Sequence, residues 1–219
     1  ANLDEAVPVI VNAIIQNAGQ TCSAGSRLLV EASAYERVLA LVGERISALK
    51  VGAASMDLDV GPFIRANQLE RVNGFLANAA SSGLRVVAQG QIAADAPDTG
   101  FYAKPTLIAD VPVDASLACD EVFGPVLAAM PFKDEADAVR LANATEYGLV
   151  AGVWTENGAR GMRMARAVKS GQVFINNYGA GGGVELPFGG VKSSGYGREK
   201  GFEALYGFSV MKTVVVKHG

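Results

Sequence analysis

The sequence predicts an α/β fold, with a mainly parallel sheet and helices on both of its faces. Several short segments are apolar throughout, as strands buried on both faces of a sheet are. Segments with apolar residues at helical three-and-four spacing alternate with these strands, which is typical of a parallel α/β domain. Half of the 219 residues are hydrophobic and 19% are charged, so the chain can bury a sizeable core.

The alternation begins in the first half of the chain. Arg27–Glu31 (RLLVE) is a short β-type run, and Ser33 is interpreted as the cap of the helix that follows. Apolar residues share one face over residues 35–49, which predicts an amphipathic helix. A second helix is predicted over residues 66–80; Gly83 ends it, and residues 84–88 form the next strand.

The second half continues the pattern. The predicted elements are a strand at Val126–Phe132, a helix over residues 135–143, a strand over 149–155, a helix over 160–170, a strand over 172–176 and a helix over 199–206. The β-branched run SVMKTVVVK at residues 209–217 follows and predicts a further strand. That strand belongs either to the sheet of this domain or, as an open edge, to an interface with another subunit. We therefore divide the chain into a main domain, residues 1–208, and a strand segment, residues 209–219.

Composition excludes several classes of protein. A formal net charge of −3 without a basic cluster argues against nucleic-acid binding. With two cysteines and one histidine, neither a four-ligand zinc site nor a disulfide framework is expected, and reduced thiols favour a cytoplasmic location. The longest apolar stretches fall short of the ~20 residues that a membrane helix needs, and residues 1–10 lack the pattern of a signal peptide.

One cysteine lies in a context that suggests chemistry. Residues 17–22 read N-A-G-Q-T-C; we expect Gly19 to end the preceding helix and Cys22 to lie on a loop beside the sheet. Taken alone, a cysteine in an α/β protein is more often a small buried hydrophobe than a nucleophile. Cys119 has no motif around it and is interpreted in that way.

Two further motifs change the interpretation of Cys22. Residues 120–126 read D-E-V-F-G-P-V, and residues 188–199 read F-G-G-V-K-S-S-G-Y-G-R-E. Together with N-A-G-Q-T-C, and in this order, they resemble the signatures of the NAD(P)-dependent aldehyde dehydrogenase superfamily, in its cysteine-bearing catalytic domain. The resemblance extends over nearly the whole chain.

The resemblance implies oxidation of an aldehyde to a carboxylic acid with NAD or NADP. Cys22 would be the nucleophile, carrying first a thiohemiacetal and then a thioester, with its own backbone N–H as one oxyanion donor. Glu121 would accept hydrogen bonds from the nicotinamide ribose, and Phe123 would pack against the nicotinamide. Gln68 and Arg71 share a helix face in a region that, by resemblance, also approaches the ribose.

The resemblance also places the aldehyde pocket. Phe188 and Leu149 match positions near the aldehyde and nicotinamide, although core packing would also suit these apolar residues. The loop over residues 177–186 would line the substrate entrance. The expected partners are a small-molecule aldehyde, as substrate, and further copies of the chain in a homo-oligomer.

The family fold begins with a dinucleotide-binding domain that precedes the cysteine, whereas here 21 residues precede Cys22. We therefore expect that domain, with its general base and second oxyanion donor, to be absent from these residues, and the 219-residue polypeptide alone to be inactive. Two alternatives remain: a CoA-acylating aldehyde dehydrogenase and a non-catalytic oligomerisation module.

Overall fold

A computed structural model describes residues 1–179 and 183–219 of the chain. Its helices are α1 (Leu3–Ile15), α2 (Tyr35–Ala48), α3 (Ala66–Ser81), α4 (Ser116–Cys119), α5 (Glu135–Ala142), α6 (Gly158–Ala167) and α7 (Glu203–Gly207). Its strands are β1 (Arg27–Glu31), β2 (Lys50–Val51), β3 (Arg85–Gln89), β4 (Gln91–Ile92), β5 (Thr106–Ala109), β6 (Val126–Phe132), β7 (Val150–Val153) and β8 (Gln172–Ile175).

The central sheet has four strands in the order β1-β6-β5-β3. Strands β1, β6 and β5 run parallel, and β3 pairs antiparallel with β5. Strands β2 and β4 form a separate parallel pair, as do β7 and β8. The predicted α/β class with a mainly parallel sheet is confirmed, and the strands are divided among separate sheets.

Helices cover both faces of the central sheet. Successive residues of a strand point to opposite faces, so Leu107 and Ala109 pack in one cluster with buried residues of α1 and α2, such as Ile46. Ile108 packs on the other face in a second cluster, which includes Val72 of α3. The sheet is therefore buried between two apolar layers.

Most of the predicted elements are present, with shifted ends. Strands β1 and β6 have the predicted bounds. Ser33 does not cap α2, because Ala32–Ala34 form a turn of 3₁₀ helix and the residue before α2 makes no capping hydrogen bond through its side chain. The last helix starts at Glu203 rather than at residue 199, because Glu199 pairs with Phe188 in an antiparallel bridge.

The C-terminal segment, residues 209–219, forms neither helix nor strand. Its apolar side chains are exposed, including Val210 at 94% and Met211 at 96%. The segment therefore does not join the sheets of its own chain, and its pairing with another subunit stays a prediction.

The described residues include neither a membrane-spanning helix nor a cluster of metal ligands. None of their helices is long and apolar enough to cross a membrane. They also hold no group of three or more His, Cys, Asp or Glu residues that could bind a metal ion.

Candidate active site

The loop that carries Cys22 is shaped by left-handed backbone. Helix α1 ends at Ile15, and Asn17, Ala18 and Gly19 follow with φ of 50°, 56° and 74°. The helix thus ends earlier than predicted, although Gly19 does take part in the reversal. The chain then turns over residues 21–24, where the Ala24 N–H donates to the carbonyl of Thr21 at 3.1 Å.

The two cysteines have different surroundings. Cys22 is exposed, and its thiol has neither a disulfide nor a hydrogen bond to the described residues, so it is not the buried hydrophobe that a lone cysteine usually is. Cys119 is half-buried, and its thiol donates to the carbonyl of Val113 at 3.2 Å. A thiol on an exposed loop is the more accessible nucleophile.

The first two motifs meet at the amino edge of the central sheet. The Cys22 loop leads into β1, and the Gly124-Pro125 step leads into β6, the adjacent parallel strand. The Ala128 N–H of β6 donates to the carbonyl of Ser26 at 2.9 Å. A side chain on Gly19 would collide with the backbone of Gly124 and Pro125.

The segment over residues 121–123 is held by α3. Gln68 Nε2 donates to the carbonyl of Phe123 at 2.8 Å and to that of Val122 at 3.4 Å, and Arg71 Nη2 donates to the carbonyl of Glu121 at 2.6 Å. Gln68 and Arg71 therefore share a face, as predicted, and they fix this backbone. Their direct contact with a cofactor stays a prediction.

Two side chains of this segment remain available to a ligand. The Glu121 carboxylate is exposed and has no hydrogen bond or ion pair to any of the described residues. Phe123 has φ of 59°, and its side chain is 36% exposed, so it is not plain core. An unpaired carboxylate on a fixed backbone suits the hydroxyls of a ribose, and the ring beside it can pack against a nicotinamide. These residues fit the predicted cofactor.

The third motif packs against the turn before β7. The carbonyl of Gly148 accepts from the Val191 N–H at 2.9 Å, and the Gly148 N–H donates to Ser194 Oγ at 3.0 Å. Leu149, the next residue, is half-buried, as is Phe188. The structure thus links Leu149 to the third motif, and the aldehyde-pocket role of both residues stays a prediction.

Tyr178 connects the segment that follows β8 to the Cys22 loop. Its hydroxyl donates to the carbonyl of Ser23 at 2.9 Å. The sequence places Tyr178 in the predicted entrance loop but gives it no role, since a tyrosine between Asn and Gly carries no signal for a contact so distant along the chain. Residues 180–182 of that predicted loop lie outside the described residues.

An open groove of about 420 Å³ lies beside the Cys22 loop. Gln20 and Asn17 line it together with Gly61 and Pro62, residues of the region expected to approach the ribose. Gln20 Oε1 also accepts from the Ile64 N–H at 3.2 Å, which ties the two sides of the groove together. Cys22 does not line this groove.

Comparisons with known proteins agree on one family. The family model "Aldehyde dehydrogenase family" matches residues 1–214. A betaine aldehyde dehydrogenase of Cereibacter sphaeroides is 39% identical over the whole chain, and an aldehyde dehydrogenase of Emericella nidulans is 37% identical. The chain covers 45% and 44% of these relatives, so it spans less than half of their length.

Solved structures show the same relationship. A putative aldehyde dehydrogenase from Burkholderia cenocepacia superposes with a TM-score of 0.96 and 60% identity, covering 100% of this chain and 46% of that one. The NAD⁺ complex of an aldehyde dehydrogenase from Bacillus cereus superposes with a TM-score of 0.87 and 38% identity, covering 94% of this chain and 41% of that one.

Proposed function

The chain belongs to the aldehyde dehydrogenase family, and from that premise we propose that it carries the nucleophile of an enzyme that oxidises an aldehyde to a carboxylic acid with NAD or NADP. The observation that carries the proposal is the placement of Cys22. Its thiol is exposed on a loop at the amino edge of the sheet, next to the segment that presents the Glu121 carboxylate. Nucleophile and cofactor-binding residues thus share one edge of the sheet.

Cys22 forms both covalent states of the substrate. Its thiolate adds to the aldehyde carbon, a C–S bond forms, and the carbonyl oxygen becomes an oxyanion. The Cys22 backbone N–H is one donor for that oxyanion. When bound, the nicotinamide supplies the oxidant that accepts hydride from the substrate carbon, which leaves a thioester on Cys22. Attack by water then releases the acid and the thiol.

The residues around Cys22 bind the cofactor and shape the pocket for the aldehyde. Glu121 would accept hydrogen bonds from the ribose hydroxyls of a bound cofactor, and the Phe123 ring would pack against its nicotinamide. Gln68 and Arg71 hold the backbone of both residues and so fix the main chain from which the carboxylate projects. Phe188 and Leu149 shape the pocket for the aldehyde.

A chimeric enzyme tests this function. The part of the Burkholderia cenocepacia protein that this chain does not cover is fused to residues 1–219, and 60% identity favours a compatible contact between the two parts. We expect the chimera to reduce NAD⁺ or NADP⁺ with aldehydes, followed by the absorbance of the reduced cofactor. Cys22→Ser should abolish the activity, whereas Cys119→Ser is the matched control and should retain it.

Two outcomes would contradict the proposal. A folded chimera that shows no activity toward a panel of aliphatic, aromatic and amino aldehydes would contradict the proposed dehydrogenase activity. Activity that survives Cys22→Ser would assign the chemistry to another group. Dependence of the activity on added coenzyme A, rather than on water, would favour the CoA-acylating alternative.

A further inference from the structure

The ring of Tyr178 sits against two glycines on different elements. A Cβ on Gly152 of β7 would lie 2.8 Å from Cδ2 of the ring, closer than real Cβ atoms approach a neighbour. A Cβ on Gly25, three residues after the nucleophile, would lie 3.7 Å from Cζ, at ordinary contact distance. The ring therefore fills the space between β7 and the Cys22 loop, and Gly152 leaves room for it.

The backbone that presents Tyr178 is also fixed. Asn176 follows β8 with φ of 52°, and its amide makes both possible hydrogen bonds to the backbone of Thr155. The Thr155 N–H donates to Asn176 Oδ1 at 2.8 Å, and Asn176 Nδ2 donates to the Thr155 carbonyl at 2.9 Å. Thr155 is itself buried. Tyr178 thus projects from an anchored segment rather than from a free loop.

The hydroxyl of Tyr178 reaches the residue directly after the nucleophile. It donates to the carbonyl of Ser23, a buried residue, at 2.9 Å. Burial, and secondly the charge of a Cys22 thiolate, raise the pKa of Tyr178 to about 12. The hydroxyl therefore stays protonated, and a donor, at neutral pH.

We propose that Tyr178 is a positioning residue: by holding the Ser23 carbonyl from an anchored segment, it fixes the direction in which the Cys22 thiol points. The proposal rests on the proposed function, because direction matters only if Cys22 attacks a bound substrate. A thiol held near its attack geometry reacts faster than one on a free loop. Tyr178 acts through the loop and does not touch the reacting atoms.

Tyr178→Phe in the 219-residue chain tests the contact itself. The substitution keeps the ring between the two glycines and removes the hydroxyl. We expect amide hydrogen exchange over residues 21–26 to accelerate roughly 2- to 12-fold, the range that corresponds to one neutral hydrogen bond. Tyr206→Phe is the matched control, since this ring is 84% exposed, and it should leave the exchange unchanged.

The activity of the Tyr178→Phe chimera distinguishes a positioning role of Tyr178 from a general loss of stability. Tyr178→Phe should lower kcat by up to about 100-fold, with KM for the nicotinamide cofactor unchanged. Iodoacetamide can attack a thiol from many directions. The rate at which it alkylates Cys22 in Tyr178→Phe should therefore stay within about twofold of the wild-type rate, and the rate for half-buried Cys119 should not rise. Replacing Tyr178 with 4-aminophenylalanine, which retains a donor, should restore part of kcat.

The outcomes distinguish the two proposals. Wild-type exchange and wild-type kcat in Tyr178→Phe would overturn the positioning role even if the chimera is active. Faster alkylation of both cysteines would indicate a general loss of structure and would also overturn it. If the wild-type chimera is inactive, the proposed function fails, and loop exchange in the 219-residue chain still decides whether Tyr178 fixes the Cys22 loop.

Discussion

Gly19 lies directly against the backbone of Gly124, and this contact joins the N-A-G-Q-T-C motif to the E-V-F-G-P motif. The two residues are far apart in sequence, but each lies in a segment that leads into one of two adjacent parallel strands, Gly19 ahead of β1 and Gly124 ahead of β6. Gly19 has φ of 74°, so both its conformation and its surroundings require the absence of a side chain. The packing of one glycine on another therefore sets the distance between the nucleophile loop and the cofactor-binding segment.

Gly19→Ala should be strongly destabilising. We expect a loss of about 2–5 kcal/mol in the free energy of unfolding, the sum of left-handed strain and overpacking against Gly124 and Pro125. Gly83→Ala is the control, because Gly83 has a similar φ of 71° but open space where its Cβ would lie. It should lose about 1–2 kcal/mol from the left-handed conformation alone. Urea denaturation measures both, and equal losses would show that the close approach has no cost.

Cys22 should react with iodoacetamide faster than Cys119. The first thiol is exposed and has no hydrogen bond within the part of the chain that the structure describes, whereas the second is half-buried and donates to the Val113 carbonyl. Timed alkylation of the native chain, followed by mass spectrometry of the two cysteine peptides, gives both rate constants. Denatured chain provides the control, in which the two rates should converge. Equal rates in the native chain would contradict the placement of Cys22.

Gln68→Ala should loosen the segment that presents Glu121 and Phe123. The variant loses the donor to the carbonyls of Val122 and Phe123, and we expect a loss of about 0.5–1.5 kcal/mol in local stability. Hydrogen exchange over residues 121–123 should rise accordingly, and KM for the nicotinamide cofactor should rise in the chimera.

Asn73→Ala is the matched control for Gln68→Ala, because Asn73 is exposed on the same helix. It should leave both the exchange and KM unchanged. Cys22 alkylation should be the same in the two variants, since α3 acts on the cofactor-binding segment. A rise in exchange without any effect on KM would separate this segment from cofactor binding.

The ionisation of Tyr178 should be displaced to high pH. Its pKa in the folded chain is about 12, raised from an ordinary 10. The raised pKa means that the folded state favours the neutral form of Tyr178. The contribution of this group to the free energy of unfolding is therefore complete below about pH 10 and is lost as pH rises through about 12. The difference in tyrosinate absorbance between wild type and Tyr178→Phe should therefore titrate near pH 12. An absorbance difference that titrates near pH 10 instead would contradict the burial of the Tyr178 hydroxyl beside Cys22.

The 219-residue polypeptide, assayed alone, should not reduce NAD⁺ or NADP⁺ with aldehydes. The chain spans less than half the length of the relatives that it matches, and by family resemblance the base for deacylation and the second oxyanion donor belong to the part that these 219 residues do not cover. Steady formation of reduced cofactor by the purified polypeptide, abolished by Cys22→Ser, would contradict this expectation. The chimera described above serves as the positive control.

Local patterns predicted the regular elements well. The three-and-four spacing located α2 and α3, and the continuous apolar run located β6 with its bounds. Strand β5 escaped prediction, because Thr106–Ala109 is too short to show a period although all four residues are buried. The end of α1 was misjudged, because Asn17 and Ala18 adopt a left-handed backbone that alanine seldom enters.

The site was partly predictable for a similar reason. Cys22 and Glu121 stand within motifs, so sequence alone could single them out. The contacts of Gln68 with the Phe123 carbonyl and of Tyr178 with the Ser23 carbonyl join a side chain to a distant backbone. A carbonyl is common to every residue type, so nothing in the sequence marks which one a side chain will meet.

The parallel strands of the central sheet place the residues of the proposed chemistry at one edge of the sheet. The nucleophile loop and the Gly124-Pro125 step both enter the sheet at its amino edge. The opposite edge carries the connections that leave β1 after Glu31 and β6 after Phe132, and these lead into α2 and α5 rather than into the residues of the proposed chemistry. Engineered insertions, affinity tags and fluorescent reporters therefore belong at that far edge, where the sheet itself shields the chemistry from them.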